Sequence, residues 1–274
     1  MKQVKPGLCD SHFHVFGPES RYPYAADLRY KPPQAPLADY LAHARPLGFE
    51  RFVFVQPSAY GRDNACMLDA MREVGPGVCR GIVDIDDDAP DSELAKLNAA
   101  GVRGVRINVN PIKPPEHGFA SGLLSRIRTL DGKCNELGWM LDFLTPGWLT
   151  RELIPTMRHL KSPFSISHMG MFRAGQEGFA EFVSLMRDSN AWPKLTGLYR
   201  ISTAAGYSDL ASSMGAVVEA APDRAIWGSD YPHLSFADRT STEELFGFFK
   251  ECIADEAQRS RILIDNPARC FGFA

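Results

Sequence analysis

The stretch Asp10-Ser11-His12-Phe13-His14 carries the densest chemistry in the chain, between a short apolar run and the loop opened by Phe16-Gly17-Pro18. Read as a strand from Leu8 to His14, it sends alternate side chains to opposite faces. Asp10, His12 and His14 then share one face, and two imidazoles come within reach of one atom. Such a pair either holds a divalent metal or donates to a carbonyl oxygen and polarises it. An H-x-H pair alone arises often by chance and more commonly means two histidines that cap a strand end. Two later stretches add to it: His168 in Ser167-His168-Met169-Gly170, and Asp230 in Gly228-Ser229-Asp230-Tyr231-Pro232-His233.

Residues so far apart in sequence need a scaffold that brings them together. Strand signals run from Leu8 to His14, Arg51 to Gln56, Cys79 to Ile85, Gly104 to Asn108, Trp139 to Leu144, Phe164 to Ser167, Lys194 to Gly197 and Ala225 to Gly228. Helical signals fall between them. Leu37 to Leu47 places Leu37, Tyr40, Leu41, Ala44 and Leu47 on one face and stops at Gly48. Others run from Asn64 to Val74, Pro90 to Ala100, Leu123 to Leu137, Thr150 to Leu160, Phe179 to Met186 and Tyr207 to Ala220. A capping box at Thr240-Ser241-Thr242-Glu243 starts a helix through Glu251, and a last helix from Asp255 to Ile264 ends before Asn266-Pro267.

Eight β-then-α units without a linker imply an α/β chain folded as one (β/α)8 TIM barrel over residues 1–274. A doubly wound sheet is the other arrangement, and no G-x-G-x-x-G turn supports it. In a barrel the strand C-terminal ends converge on one mouth. That mouth collects His12, His14, Gln56, Ser58, Arg106, Asn108, Asp142, His168, Tyr199, Arg200 and Asp230. Singly, each has a plainer role: His168 as a satisfied core histidine, Asp230 as a turn aspartate, Arg106 as ion-pair partner of Asp142 or Asp84, Asn108 and Ser58 as loop hydrogen bonders. Together, three histidines and an aspartate at the ends of strands one, six and eight form a set that chance does not readily assemble. His233, beyond Pro232, is placed behind this set, and His43, His117 and His159 on the surface.

The 274 residues are 45% hydrophobic and 23% charged, an ordinary globular balance with a sizeable core. Thirty basic against 33 acidic residues give a net charge of −3, with no basic run to make a nucleic-acid footprint. No apolar stretch approaches the ~18 residues that span a membrane. Met1-Lys2-Gln3-Val4-Lys5-Pro6 leads straight into the first strand without a secretory pattern. Cys9, Cys66, Cys79, Cys134, Cys252 and Cys270 lack C-x-x-C spacing and read as reduced thiols. The expectation is a cytoplasmic protein with neither nucleic-acid nor membrane partners.

The D-x-H-x-H of Asp10 to His14, His168-Met169-Gly170, the Gly228 to His233 stretch and the closing Asn266-Pro267-Ala268-Arg269-Cys270-Phe271-Gly272 resemble the amidohydrolase superfamily over essentially the whole chain. The nearest likeness is to the branch holding 2-pyrone-4,6-dicarboxylate lactonase and sugar-acid lactone enzymes. Phe16-Gly17-Pro18, Arg29-Tyr30-Lys31-Pro32, Val55 to Asn64 and Gly101 to Asn108 support it. The resemblance implies a hydrolase that opens the lactone of a small carboxylated substrate. Asp230 would be the general base toward water, and His12, His14 and His168 would polarise the carbonyl. Arg106 and Arg200 would bind substrate carboxylates, Tyr30 and Ser58 would position the ring, and Asn108 joins the binding residues.

Binuclear members of the superfamily use a bridging lysine from the fourth strand and a histidine from the fifth. Here those strands carry Arg106-Ile107-Asn108 and Leu141-Asp142-Phe143, which removes a two-metal site. The favoured expectation is that no cofactor is required, as the resemblance to this branch implies. The alternative is one divalent metal such as Zn²⁺ on His12, His14 and Asp230. The branch pattern also wants a second arginine soon after Arg106, where Asn110-Pro111-Ile112-Lys113-Pro114 offers only Lys113, which keeps aldaric-acid lactones open as substrates. Rival functions are a lactone isomerase, a metal-dependent decarboxylase of the same superfamily, and a barrel that binds without catalysis.

Overall fold

In the computed structural model, which describes residues 7–28, 30–109 and 119–273, eight parallel strands alternate with helices. The strands are β1 (Leu8–Phe13), β2 (Phe49–Val55), β3 (Cys79–Val83), β4 (Val102–Asn108), β5 (Met140–Leu144), β6 (Phe164–Ile166), β7 (Ala191–Leu195) and β8 (Ile226–Trp227). Their order in the sheet is their order in the chain. The Asp230 backbone N–H donates to His12 O at 2.8 Å and the His14 N–H to Tyr231 O at 2.9 Å, which brings the end of β8 back to β1. The expected (β/α)8 barrel is found.

Strands such as β2, with Phe52-Val53-Phe54-Val55 all buried, are apolar on both faces because one face lines the barrel and the other meets helices. Those helices are α1 (Leu37–Ala44), α2 (Ala65–Val74), α3 (Asp91–Ala99), α4 (Phe119–Leu137), α5 (Gly147–Met157), α6 (Phe179–Asp188), α7 (Ala211–Ala220) and α8 (Thr242–Cys252). Cys9, Val53, Val55, Ile82, Met140, Ile226 and Phe271 fill the barrel floor. The polar site stands above this plug, at the strand C-terminal ends.

Several boundaries differ from the sequence expectation. The cap of α8 is Ser241, whose Oγ accepts from Glu244 N at 3.1 Å, one residue later than the expected box. Strand β7 begins at Ala191, three residues before the expected Lys194. The last helical segment does not stop at Asn266-Pro267: a π turn over Arg261–Asp265 leads into a helix over Asn266–Phe271. Pro267 falls in that helix's first turn, where a missing N–H costs nothing.

All six cysteines are free thiols. Burial pushes Cys9 and Cys134 up to about 12 and Cys79 up to about 11, so none of these three is poised as a nucleophile. His43 and His159 are exposed, as expected. No helix among the described residues is long and apolar enough to cross a membrane. Arg29, Lys113 and His117 lie outside the described residues.

Candidate active site

Asp230 is the hub of the mouth. Its Oδ1 lies 3.5 Å from both His12 Nε2 and His14 Nε2, and its Oδ2 lies 3.8 Å from His168 Nε2. Tyr199 donates its hydroxyl to Oδ2 at 2.5 Å, and Arg200 donates Nε–H to the same oxygen at 3.3 Å. Asp230 sits in the left-handed region at φ 57°, a conformation that aspartate tolerates better than most residues and that the surrounding bonds fix. Burial alone would raise its carboxyl, but His168 and Arg200 outweigh it and hold it well below the usual carboxylate range; Arg200 is the charge that persists at neutral pH, where the His168 ring is neutral.

The expectation that Asp10 shares a face with the two histidines is corrected. The pairing of β1 with β2 shifts register between Asp10 and Phe13, which breaks the two-residue alternation. Asp10 turns toward α1, where Tyr40 donates to its Oδ2 at 2.9 Å, while its Oδ1 accepts from Ser229 N at 2.9 Å and His12 N at 3.1 Å. Phe13 points the same way, stacked on Tyr40 at 3.7 Å. Asp10 therefore ties β1 to β8 from outside while His12 and His14 face inward. Gly228 permits the close approach, since a Cβ there would lie 2.6 Å from the His12 backbone N.

Below His12 lies a feature the sequence reading missed. Lys194 of β7 is fully buried and projects into the barrel, with Nζ 2.7 Å from Asp142 Oδ1 and 3.2 Å from His12 Nδ1. Asp142 also accepts from Ser165 Oγ at 2.6 Å and has Arg106 Nε 3.9 Å away. Burial raises the Asp142 carboxyl, but the two cations outweigh it and keep it ionised. Strand alternation around Lys194 was the available signal, but the expected strand began there rather than at Ala191.

The other two imidazoles are fixed by neutral partners. His14 Nδ1 is 2.7 Å from the Val55 carbonyl, which only accepts, so Nδ1 carries the proton and the neutral ring presents a lone pair at Nε2. His168 Nδ1 is 2.7 Å from Thr196 Oγ1, which already accepts from the His168 backbone N–H at 3.3 Å. A hydroxyl both donates and accepts, so Thr196 suits either tautomer; when it gives its proton to Nδ1, Nε2–H faces the mouth. Gly197, at φ 58°, makes room for this ring: a Cβ there would lie 2.2 Å from His168 Nδ1. Burial lowers all three histidines, His168 to about 4 and His12 well below its ordinary value. The rings are therefore neutral at neutral pH.

A cavity of about 360 Å³ opens over Asp230 and suits a small ligand. His14, His168, Arg106, Arg200, Tyr30, Ser58 and Asn108 line it, so most expected site residues converge here. Tyr30 Oη is 3.3 Å from Ser58 Oγ on one wall. Arg106 is almost wholly buried, donates Nη1–H to Gln56 O at 2.7 Å, and pairs with Asp142 as one sequence alternative held. Four of the expected mouth residues, His12, Gln56, Asp142 and Tyr199, do not line this cavity. His12 lies behind Asp230 and does not line the cavity, and Gln56 turns away to donate to Gly61 O and Asp63 O at 3.1 and 2.8 Å. His233 also stands behind, 3.3 Å from Thr242 Oγ1.

The ligating atoms of His12, His14 and Asp230 lie within 4.8 Å of one another, a spacing that a single divalent ion tolerates. The donor chemistry fits only in part. A metal-ligating imidazole usually donates its second nitrogen to a carboxylate, carbonyl or water, as His14 does to Val55. His12 instead faces an ammonium at Nδ1, which puts its own proton on Nε2, the atom a metal would need.

An eightfold α/β barrel with a buried carboxylate and imidazoles at its strand ends is an acid–base enzyme scaffold. The chain belongs to the amidohydrolase family, whose model matches residues 9–273. Among its relatives, 4-sulfomuconolactone hydrolase of Hydrogenophaga intermedia is 36% identical over 98% of this chain and 90% of its own length. The 2-pyrone-4,6-dicarboxylate hydrolase of Comamonas testosteroni is 32% identical over 98% of this chain and 91% of its own. A crystal structure of a probable 2-pyrone-4,6-dicarboxylic acid hydrolase from Acinetobacter baumannii, with citric acid bound, superposes with a TM-score of 0.83 at 25% identity, covering 97% of this chain and 99% of that one.

Proposed function

We propose that this chain hydrolyses the lactone ring of a small substrate bearing anionic substituents, without a metal. The observation that carries the reading is the cavity in which an ionised Asp230 faces His14 and His168 between Arg106 and Arg200. The relatives support it, since those with the highest identity given above are lactone hydrolases by name.

The chemistry follows from the donors and acceptors. Asp230 Oδ1 and His14 Nε2 are two acceptors 3.5 Å apart, and a water with two O–H groups satisfies both. Asp230 takes a proton from that water as its oxygen attacks the lactone carbonyl carbon. Negative charge grows on the carbonyl oxygen, and the His168 Nε2–H stabilises it. The ring C–O bond then breaks, and the proton held by Asp230 passes to the leaving oxygen. The product is the ring-opened acid. The sequence reading gave all three histidines the task of polarising the carbonyl. With His14 presenting a lone pair and His12 behind Asp230, that task falls to His168. Arg106 and Arg200 bring two positive charges to the cavity, against which substrate carboxylate or sulfonate groups pair.

The test is direct. The protein is incubated with 4-sulfomuconolactone and with 2-pyrone-4,6-dicarboxylate, and products are read by NMR. A ring-opened acid from either supports the reading. A rearranged lactone would move it to isomerisation, and loss of CO2 to decarboxylation.

A further inference from the structure

Lys194 is a buried cation that the hydrolytic scheme leaves without a task. It comes from β7, beneath the site, and touches neither the cavity nor Asp230. We infer that Lys194 is a positioning residue: by donating to His12 Nδ1 it locks His12 in the Nε2–H tautomer, aims that N–H at Asp230 and withholds the Nε2 lone pair from a metal. The inference deepens the metal-independent reading of this site and rests on it for its catalytic consequence.

The argument is one of donor counting. An ammonium carries three N–H donors and no acceptor. One donor of Lys194 goes to Asp142 Oδ1 at 2.7 Å, an ion pair sealed from solvent. Another faces His12 Nδ1 at 3.2 Å, which must then present its lone pair. A neutral imidazole has one ring proton, so it sits on Nε2. That nitrogen is buried and makes no hydrogen bond among the described residues, and the Asp230 Oδ1 carboxylate oxygen lies 3.5 Å from it. His14 carries the opposite arrangement, with its proton on Nδ1 for Val55 O. One H-x-H pair thus holds two tautomers. The ring behind Asp230 turns an N–H dipole toward the carboxylate from 3.5 Å, while the ring beside the cavity presents a lone pair. Replacing Lys194 by a residue that cannot donate frees His12 Nδ1 to carry the proton and Nε2 to ligate.

Long-range ¹H–¹⁵N NMR of protein labelled at the imidazole nitrogens reads this without substrate. His12 is assigned by the signals lost in His12→Asn. The expected spectrum at neutral pH shows His12 protonated at Nε2 and His14 at Nδ1. A proton on His12 Nδ1 overturns the inference. The companion variant is Lys194→Met combined with Asp142→Asn, which avoids leaving one buried charge unpaired. Its expected behaviour is loss of the fixed His12 tautomer, zinc affinity raised about tenfold or more, and kcat lowered about tenfold; KM rises as well, because Asp142→Asn loosens Arg106. A folded variant with wild-type tautomer, zinc binding and kcat overturns it. The wild-type spectrum decides the tautomer whether or not the variant folds. Because no lactone is present, failure of lactone hydrolysis and failure of the Lys194 assignment are separate results.

Discussion

Tyr199 donates its hydroxyl to Asp230 Oδ2 across 2.5 Å, so the loop after β7 holds the carboxylate after β8 by the oxygen other than the one that faces His12 and His14. Burial, and then Asp230 itself, keep the phenol protonated well beyond its ordinary range, so Tyr199 is always the donor. Removing it takes a hydrogen bond from the ionised form of Asp230 and raises its pKa. Tyr199→Phe should lower kcat by about tenfold and move the acid limb of the pH–rate profile upward. An unchanged limb would separate Tyr199 from the base.

Asp230→Asn removes the proton acceptor while keeping the shape of the site. The expected loss in kcat is about 10² or more, measured with the lactone that the wild type turns over best. Retained activity would exclude Asp230 as the base. A protein that only binds would lose no affinity from this change beyond the local charge effect.

Arg106 is held by Gln56 O and Asp142, which fixes its guanidinium at the cavity wall before any ligand arrives. Arg106→Met should raise KM for a carboxylated lactone by about tenfold or more, and that for its methyl ester far less. Equal losses on both substrates would contradict a carboxylate contact. The variant also leaves Asp142 with one cation fewer, so its melting temperature is measured beside the kinetics.

Acid stability follows from the buried imidazoles. His168 has its pKa pushed down from 6.5 to about 4. Between those values the unfolded chain binds a proton that the folded chain refuses. Stability is therefore complete above about pH 6.5 and declines as pH falls toward 4, by on the order of 3 kcal/mol from this residue alone. His12, His14 and His233 shift in the same direction and add to the decline. Asp10, pushed up to about 6 by burial, acts in the opposite direction below that pH, so urea midpoints should drop between pH 7 and pH 6 and less steeply beneath. Constant midpoints over that range would mean that the imidazoles are charged in the fold.

The barrel and its polar mouth were legible because the chain repeats one unit eight times and places His12, His14, His168 and Asp230 where strands end. Arg106, Arg200, Tyr30, Ser58 and Asn108 were legible for the same reason together with the resemblance, and they meet at one cavity. Asp10 was misread because a register shift is invisible to a period-two rule. Lys194 was missed because an expected strand that starts at a lysine reads as its solvated end, whereas in β7 it is the fourth residue and points inward. The tautomers of His12 and His14 depend on which atom each Nδ1 meets, Lys194 Nζ or Val55 O, and those partners are 182 and 41 residues away in sequence. His12 and His14 look alike in the motif, and only the fold gives them different work.

The most direct test of metal-independent hydrolysis at Asp230 is turnover of a lactone panel by one preparation, before and after chelation, with metal content measured on the same samples. The panel would hold 4-sulfomuconolactone, 2-pyrone-4,6-dicarboxylate and the 1,4- and 1,5-lactones of aldaric acids. The expected result is ring opening at the same rate in metal-free protein. Activity that vanishes on chelation and returns in proportion to added Zn²⁺ would contradict the account and turn His12, His14 and Asp230 into ligands.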